Sequence, residues 1–324
     1  MRQKFPEKRE RRYIMKTKNL FISILTVLFA FPLPGAFAQE ASDSISIQVI
    51  TTVDYPNGNV TQTIPEGIND RGDITGIIID SSGVSRGFVR FADGTFGPPI
   101  VEPNDTMGHT EGRGITDRRL ICGWYIGSDG FAHGYFLDHG AFTEFNVTGA
   151  TGDTIVDGLN DAGDFVGNYT NGGSQARAFS NIGGVTAPII IPGDRNYSFA
   201  YGINRLRQIT GGYLEGDSIH GWWQDSDGTV YAPFDPPRSV GTLPFGLNDK
   251  GWVVGRFTRR GEGQTGAGHA FLYRLGSDRF VIYDYPGAIF TSFGGINNDG
   301  LICGRYDDGS GLIHGFLAQV VSGQ

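Results

Sequence analysis

His109 stands between two carboxylates, Asp105 and Glu111, in the stretch Glu102-Pro103-Asn104-Asp105-Thr106-Met107-Gly108-His109-Thr110-Glu111. An imidazole with carboxylates close by has the composition of a general acid/base pair or of part of a metal site. Three comparable stretches contribute Asp153, then Asp194, Arg195 and Tyr197, then Arg238 with Pro236, Pro237 and Ser239. Two chemistries fit these residues. One is a hydrolase or lyase built from Asp105, His109 and Glu111 with Asp153, Asp194 and Arg195 beside them. The other, favoured reading is a non-catalytic face on which all eight residues contact a protein or glycan partner. The chain has no G-x-S-x-G, H-E-x-x-H, P-loop or paired-Cys zinc pattern, so no catalytic residue, metal ligand or cofactor is assigned.

The elements that must position these residues are repeats. A Gly-(Ile/Leu)-(Asn/Thr) triplet occurs at Gly67, Gly114, Gly158, Gly202, Gly246 and Gly295, at intervals of 47, 44, 44, 44 and 49 residues. Each triplet is followed by a turn and by an apolar strand holding a Gly, as in Asp73-Ile74-Thr75-Gly76 and Trp252-Val253-Val254-Gly255. A third strand opens on a basic residue, a small residue and aromatics, as in Arg86-Gly87-Phe88 and His220-Gly221-Trp222. A fourth follows in most copies, as in Phe280-Val281-Ile282-Tyr283. Four short strands about every 45 residues is the pattern of a propeller blade.

The last copy stops after its third strand, whereas residues 46–56 precede the first triplet and read as a fourth. Val53-Asp54-Tyr55-Pro56 matches Tyr283-Asp284-Tyr285-Pro286. The expected fold is therefore all-β: a six-bladed β-propeller of four-stranded blades over residues 39–324, with the N-terminal strand closing the last blade. Closure removes the sheet edges that otherwise invite aggregation. Loops from the outer strand of one blade to the inner strand of the next would converge on one face, and they carry the candidate residues. Turns such as Asn69-Asp70-Arg71-Gly72 end on Gly, which a left-handed backbone favours, but Arg119 and Arg207 replace that Gly in copies two and four.

Cys122 and Cys303 occupy equivalent positions in copies two and six. Two blades apart, they lie beyond the ~7 Å between Cα atoms that a disulfide spans, so two separate buried thiols are expected. Four His residues open third strands, where Arg86 and Arg177 also occur. Arg does not ligate metals, so hydrogen bonding or stacking is the expected role. Asp225-Ser226-Asp227-Gly228 and Asp307-Asp308-Gly309 read as turns between second and third strands, since no full calcium loop is present.

At the third strands the chain resembles bacterial extracellular proteins of the HAF-repeat family. His269-Ala270-Phe271-Leu272 and His314-Gly315-Phe316-Leu317 carry the resemblance, with the Gly-Ile-Asn units and Tyr285-Pro286-Gly287-Ala288. Copies one and three depart from it at Arg86 and Arg177. The resemblance implies an exported repeat scaffold and no particular activity.

Composition agrees with this reading. Of 324 residues 51 are Gly, without a G-x-y period, and 12% are aromatic, which excludes collagen and disorder. Lys16 and Lys18, the apolar run Leu20–Leu33 and Ala36-Phe37-Ala38 read as a signal peptide cleaved after Ala38, starting from Met1 or Met15. No second run approaches a membrane span. Residues 39–324 hold 18 basic and 32 acidic groups, 18 − 32 = −14, which speaks against nucleic acid and anionic membranes. The expected product is a secreted or periplasmic monomer.

Overall fold

Gly-rich turns cut the runs of β-branched and aromatic residues into short strands, so each repeat folds as an antiparallel meander. The computed structural model describes residues 45–171, 175–194, 197–262, 268–277 and 279–322. The expected signal peptide over 1–38 and the candidate Arg195 lie outside the described residues. Asp43–Gln324 forms one compact unit.

After β1 (Ile45–Thr52), the first repeat holds β2 (Val60–Ile68), β3 (Ile74–Asp80) and β4 (Ser85–Arg90). The second holds β5 (Thr110–Ile115), β6 (Ile121–Ile126), β7 (Ala132–Asp138) and β8 (Ala141–Phe145). The third holds β9 (Thr154–Leu159), β10 (Phe165–Thr170), β11 (Ala176–Ile182) and β12 (Val185–Pro188). β13 (Ser198–Ile203), β14 (Ile209–Glu215), β15 (Ser218–Gln224) and β16 (Val230–Phe234) make the fourth. β17 (Ser239–Leu247), β18 (Trp252–Arg259), β19 (His269–Arg274) and β20 (Phe280–Tyr283) make the fifth. The sixth is β21 (Phe290–Ile296), β22 (Leu301–Asp307) and β23 (Ile313–Ser322).

The strands of each repeat pair in chain order, and β1 completes the sixth by pairing with β23 from Ile45↔Ser322 to Thr52↔Phe316. Single parallel bridges, Gln62↔Ile313 and Ile219↔Gly241, join neighbouring repeats into sheets of seven and eight strands. Two expectations need correction. The first repeat has no regular fourth strand, only the bridges Gly87↔Ile100 and Arg90↔Phe96. Gly97-Pro98-Pro99 interrupts it, and proline supplies no ladder donor. The turn Asp225–Gly228 lies between the third and fourth strands of its repeat, β15 and β16, because β15 runs on through Gln224.

Each third strand buries one large aromatic completely: Phe88, Tyr135, Phe179, Trp222, Phe271 and Phe316. Burial of this kind contributes about 1.5–3 kcal/mol per side chain. The clusters around them join neighbouring repeats, as where Val166 and Ala178 pack with Ile209 and Trp222. His133, His220, His269 and His314 tie third strands to the chain beyond the fourth. His220 Nδ1 meets Asp235 Oδ2 at 2.6 Å, His269 Nδ1 meets Asp284 Oδ1 at 2.6 Å, and His314 Nδ1 meets Asp54 Oδ2 at 3.0 Å. Tyr125 and Tyr306 stack on His133 and His314.

The triplet turns bond one repeat to the next. Asn69 Nδ2 donates to Thr116 O, Asn160 to Asn204 O, Asn204 to Asn248 O, and Asn248 to Asn297 O, at 2.8–3.0 Å. The sixth returns to the first, with Asn297 Nδ2 donating to Asn69 O at 3.0 Å. Thr116 has no amide to give, and there the Asp117 N–H donates to Asp161 Oδ1 at 2.8 Å. Arg119 and Arg207 do adopt positive φ, 66° and 63°. Each reaches back one repeat, to Asp73 at 2.8 Å and to Asp164 at 2.9 Å. Cys122 and Cys303 are both free and buried, and burial pushes the Cys303 thiol up to about 12.

Candidate functional site

All six inner strands contain a β-bulge at the same place. In the pairing with the second strand, Glu66, Arg113, Asp157, Tyr201, Phe245 and Gly294 are skipped, each just ahead of its triplet or triplet glycine. A bulge re-aims the extra residue. Here all six line one small central cavity of about 80 Å³. The strand opposite must carry Gly: a Cβ on Gly255 would stand 2.1 Å from Leu243 O. Ile68, Ile115, Leu159, Ile203, Leu247 and Ile296 form an apolar collar between this cavity and a second, also about 80 Å³, framed by the Asn turns.

Arg113 is the hub of the central cavity. It lies 2.7 Å from Glu111 and 3.7 Å from both Glu66 and Asp157. Burial works against its charge, but these carboxylates hold the guanidinium protonated. Burial pushes the Asp157 carboxyl up to about 7 against the pull of Arg113, and Glu111 is raised for the same reason. Asp157 can therefore hold a proton near neutral pH. A cavity of about 80 Å³ has room for a few waters and none for a sugar ring.

The large cavity opens at the opposite end of the inner strands and measures about 980 Å³. Its walls come from the beginnings of β2, β17 and β21 and from the chain joining second to third strands in repeats four, five and six. Ile64, Leu243 and Ile289 form apolar wall, whereas Arg256, Arg259, Arg260 and Arg305 bring four guanidinium groups into a strongly acidic chain. Arg305 Nη1 lies 3.1 Å from Glu66 Oε1, so this pair links the large cavity to the central one.

The residues singled out from sequence are not assembled into one site. Asp105 accepts the backbone N–H groups of Met107, Gly108 and His109 through Oδ1 and the Thr110 hydroxyl, at 2.6 Å, through Oδ2. It is a loop-fixing carboxylate, as short acidic side chains in turns commonly are. The exposed His109 has Ser85 Oγ, at 3.4 Å, as its ring partner and pairs with no carboxylate among the described residues. Asp153 accepts from Ala132 N at 2.9 Å, and Asp194 from Tyr197 N and Ser198 Oγ at 2.8 and 2.9 Å. Tyr197 is exposed and packs edge-on to Phe199. Among the described candidates, two adjoin a cavity. Glu111 meets Arg113, and the exposed Arg238, at φ 67°, accepts the Arg260 N–H at 3.1 Å beside the large opening. Among the described residues no group of three metal-ligating side chains occurs.

Sequence reasoning missed Arg113, Asp157, Arg256 and Arg305. The signal was present as disagreement at a fixed offset. The residues ahead of the triplets are Glu, Arg, Asp, Tyr, Phe and Gly, and those after the second-strand Gly are Ile77, Trp124, Asn168, Gly212, Arg256 and Arg305.

No protein-family model matches the chain, and no curated protein matches it. Among solved structures, the Aleuria aurantia lectin in complex with Fucα1-6GlcNAc is similar at TM-score 0.53 and 11% identity, covering 81% of this chain and 95% of the lectin. A putative TolB from Agrobacterium tumefaciens matches at 0.53 and 11%, covering 79% and 89%. The PQQ-bound aldose sugar dehydrogenase of Streptomyces coelicolor matches at 0.50 and 12%, covering 86% and 99%. At these identities the likeness shows fold alone: the chain has β-propeller character.

Proposed function

We propose that this chain is an exported six-bladed β-propeller that binds a glycan or protein through the face where the large cavity opens. The circuit of five Asn amides, completed at the Thr116 turn by the Asp117–Asp161 bond, and the β1–β23 clasp support the blade number. The leader-like residues 1–38 and the HAF-like repeats support export. The observation that carries the binding reading is the cavity itself: about 980 Å³, walled by apolar and cationic side chains from several repeats. Its size and mixed lining suit a ligand of small-molecule or oligosaccharide size. A lectin and a TolB among the similar folds are compatible with either partner class.

A hydrolase or lyase is the second reading, favoured by one observation, the raised carboxyls Asp157 and Glu111 beside Arg113. The small volume around them weighs against it. The test is the melting temperature of the purified protein against oligosaccharides, cell-wall fragments, and divalent metals with chelator. A ligand at 100 times its Kd adds about 2.7 kcal/mol and moves the midpoint visibly. A shift with a saccharide or cell-wall fragment, without turnover, is the expected outcome. Turnover that vanishes in Asp157→Asn replaces binding with catalysis, and no shift across the panel removes the glycan arm.

A further inference from the structure

Arg256 is the cation of the large cavity that the protein leaves uncompensated. Among the described residues its side chain makes no hydrogen bond and no ion pair, and its Nε is buried without a partner. Residues 263–267, outside the described set, carry no carboxylate that would supply one. The other three arginines and Asp307 have partners or face solvent. Arg305 is held by Glu66, Arg259 lies 3.8 Å from Glu262, Arg260 is exposed, and Asp307 Oδ1 accepts the Gly309 N–H. Phe290 keeps the two inner guanidinium groups together, its ring centroid 5.6 Å from Arg256 Cζ and 5.8 Å from Arg305 Cζ.

A half-buried guanidinium without a hydrogen-bond or ion-pair partner loses hydration, and the Phe290 ring returns only part of it in the unliganded protein. Burial, and then the like charge of Arg305, both work against its protonation. The fork of N–H donors on an Arg matches the two oxygens of a carboxylate, and the pair is strongest where water is excluded. The rest of the lining narrows the ligand further. Asp217 and Asp307 also line the cavity. They repel a multiply charged phosphate or sulfate polymer but accept hydrogen bonds from hydroxyl groups, and Ser218, Thr258 and Gln62 offer more polar partners.

We propose that the large cavity binds an acidic saccharide, with a uronate carboxylate seated on Arg256 and its neighbour Arg305 and the sugar hydroxyls turned toward Asp217 and Asp307. This rests on reading that cavity as the binding face. Arg256 is the anchoring residue, and the apolar wall of Ile64, Leu243 and Ile289 covers the ring.

Calorimetric titration of the purified protein with a galactose-based trisaccharide carrying a single galacturonate, the all-neutral galactose trisaccharide and inorganic sulfate tests it. The expected result is binding of the uronate at least 100-fold tighter than of the neutral sugar. Arg256→Gln loses at least 30-fold of that affinity, Arg256→Lys loses less, and the buried Arg256 Nε–H proton resonance shifts on titration. In the absence of ligand Arg256→Leu melts higher than the parent, because an uncompensated charge has been removed. Equal binding of the acidic and neutral sugars, or no effect of Arg256→Gln, overturns the acidic-ligand assignment while leaving a binding face in place. Sulfate binding as tight as uronate, with the same dependence on Arg256, overturns the saccharide assignment. Failure of the uronate to bind at millimolar concentration overturns it as well. Loss of the glycan-binding reading is read separately, as no shift with any saccharide or cell-wall fragment in the melting panel.

Discussion

At one end of the inner strands the Asn turns repeat almost unit for unit and enclose about 80 Å³. At the other end the position after the second-strand Gly holds Ile77, Trp124, Asn168, Gly212, Arg256 or Arg305, and the space widens to about 980 Å³. The inner strands β2, β17 and β21 reach both ends. Between them lie the bulges, where the pairing keeps its form from repeat to repeat while the bulged residue changes from Glu to Arg, Asp, Tyr, Phe and Gly. The contrast teaches how a repeat protein separates tasks. Backbone contacts that every repeat needs are written into Gly and Asn, and the side chains that face the enclosed space are left free to differ.

Substitutions at the uniform end should therefore cost stability, and those at the variable end should not. The largest effect is expected at the bulge glycines. Gly255→Ala places a methyl 2.1 Å from Leu243 O, and the loss should reach about 3 kcal/mol by urea denaturation, or prevent folding. Arg260→Ala, exposed at the wide opening, should change stability by no more than about 0.5 kcal/mol in the same assay. A comparable loss at both sites would break the contrast.

Asn297→Ala comes next. It removes the amide that bonds Asn69 O and the oxygen that accepts from Asp299 N and Leu301 N, all in a buried turn. The expected cost is about 2 kcal/mol. Asp157 sharpens the comparison through pH. Its folded carboxyl, pushed up to about 7, holds a proton that the unfolded chain releases near pH 4. The folded state binds the extra proton, so this group's contribution to stability is present at acid pH and declines as pH rises toward 7. Relative to Asp157→Asn, the parent should lose on the order of 2 kcal/mol between pH 5 and pH 8 by chemical denaturation. Equal pH profiles would mean that Arg113 keeps Asp157 ionised throughout.

Much of the scaffold was legible because it depends on local rules. The triplets mark the ends of inner strands, and Val53-Asp54-Tyr55-Pro56 announces the strand that pairs with β23. Arg119 and Arg207 declare themselves by replacing a turn Gly, and their positive φ follows. The site was hidden for the same physical reason. Loop acids such as Asp105 and Asp194 look chemically available in a sequence, but their oxygens serve N–H and hydroxyl groups of their own loops. Arg113 and Asp157, which sit inside apparently ordinary strands, come together only because a bulge turns each toward the enclosed space. Arg256 and Arg305 are marked only by occupying a place that holds Ile77, Trp124, Asn168 or Gly212 in the other repeats.

The clasp of β1 on β23 also imposes an order of events. β1 is synthesised long before its partner β23, with Ile45 set against Ser322. Until β23 has been synthesised, the apolar side chains Ile45, Ile47 and Val49 have no neighbouring strand to cover them. Loop-closure entropy makes such a long-range pairing slow to form. The nascent protein therefore passes through a stage in which five repeats can fold while the sixth stays open at its edge. That interval is when a chaperone has most to protect.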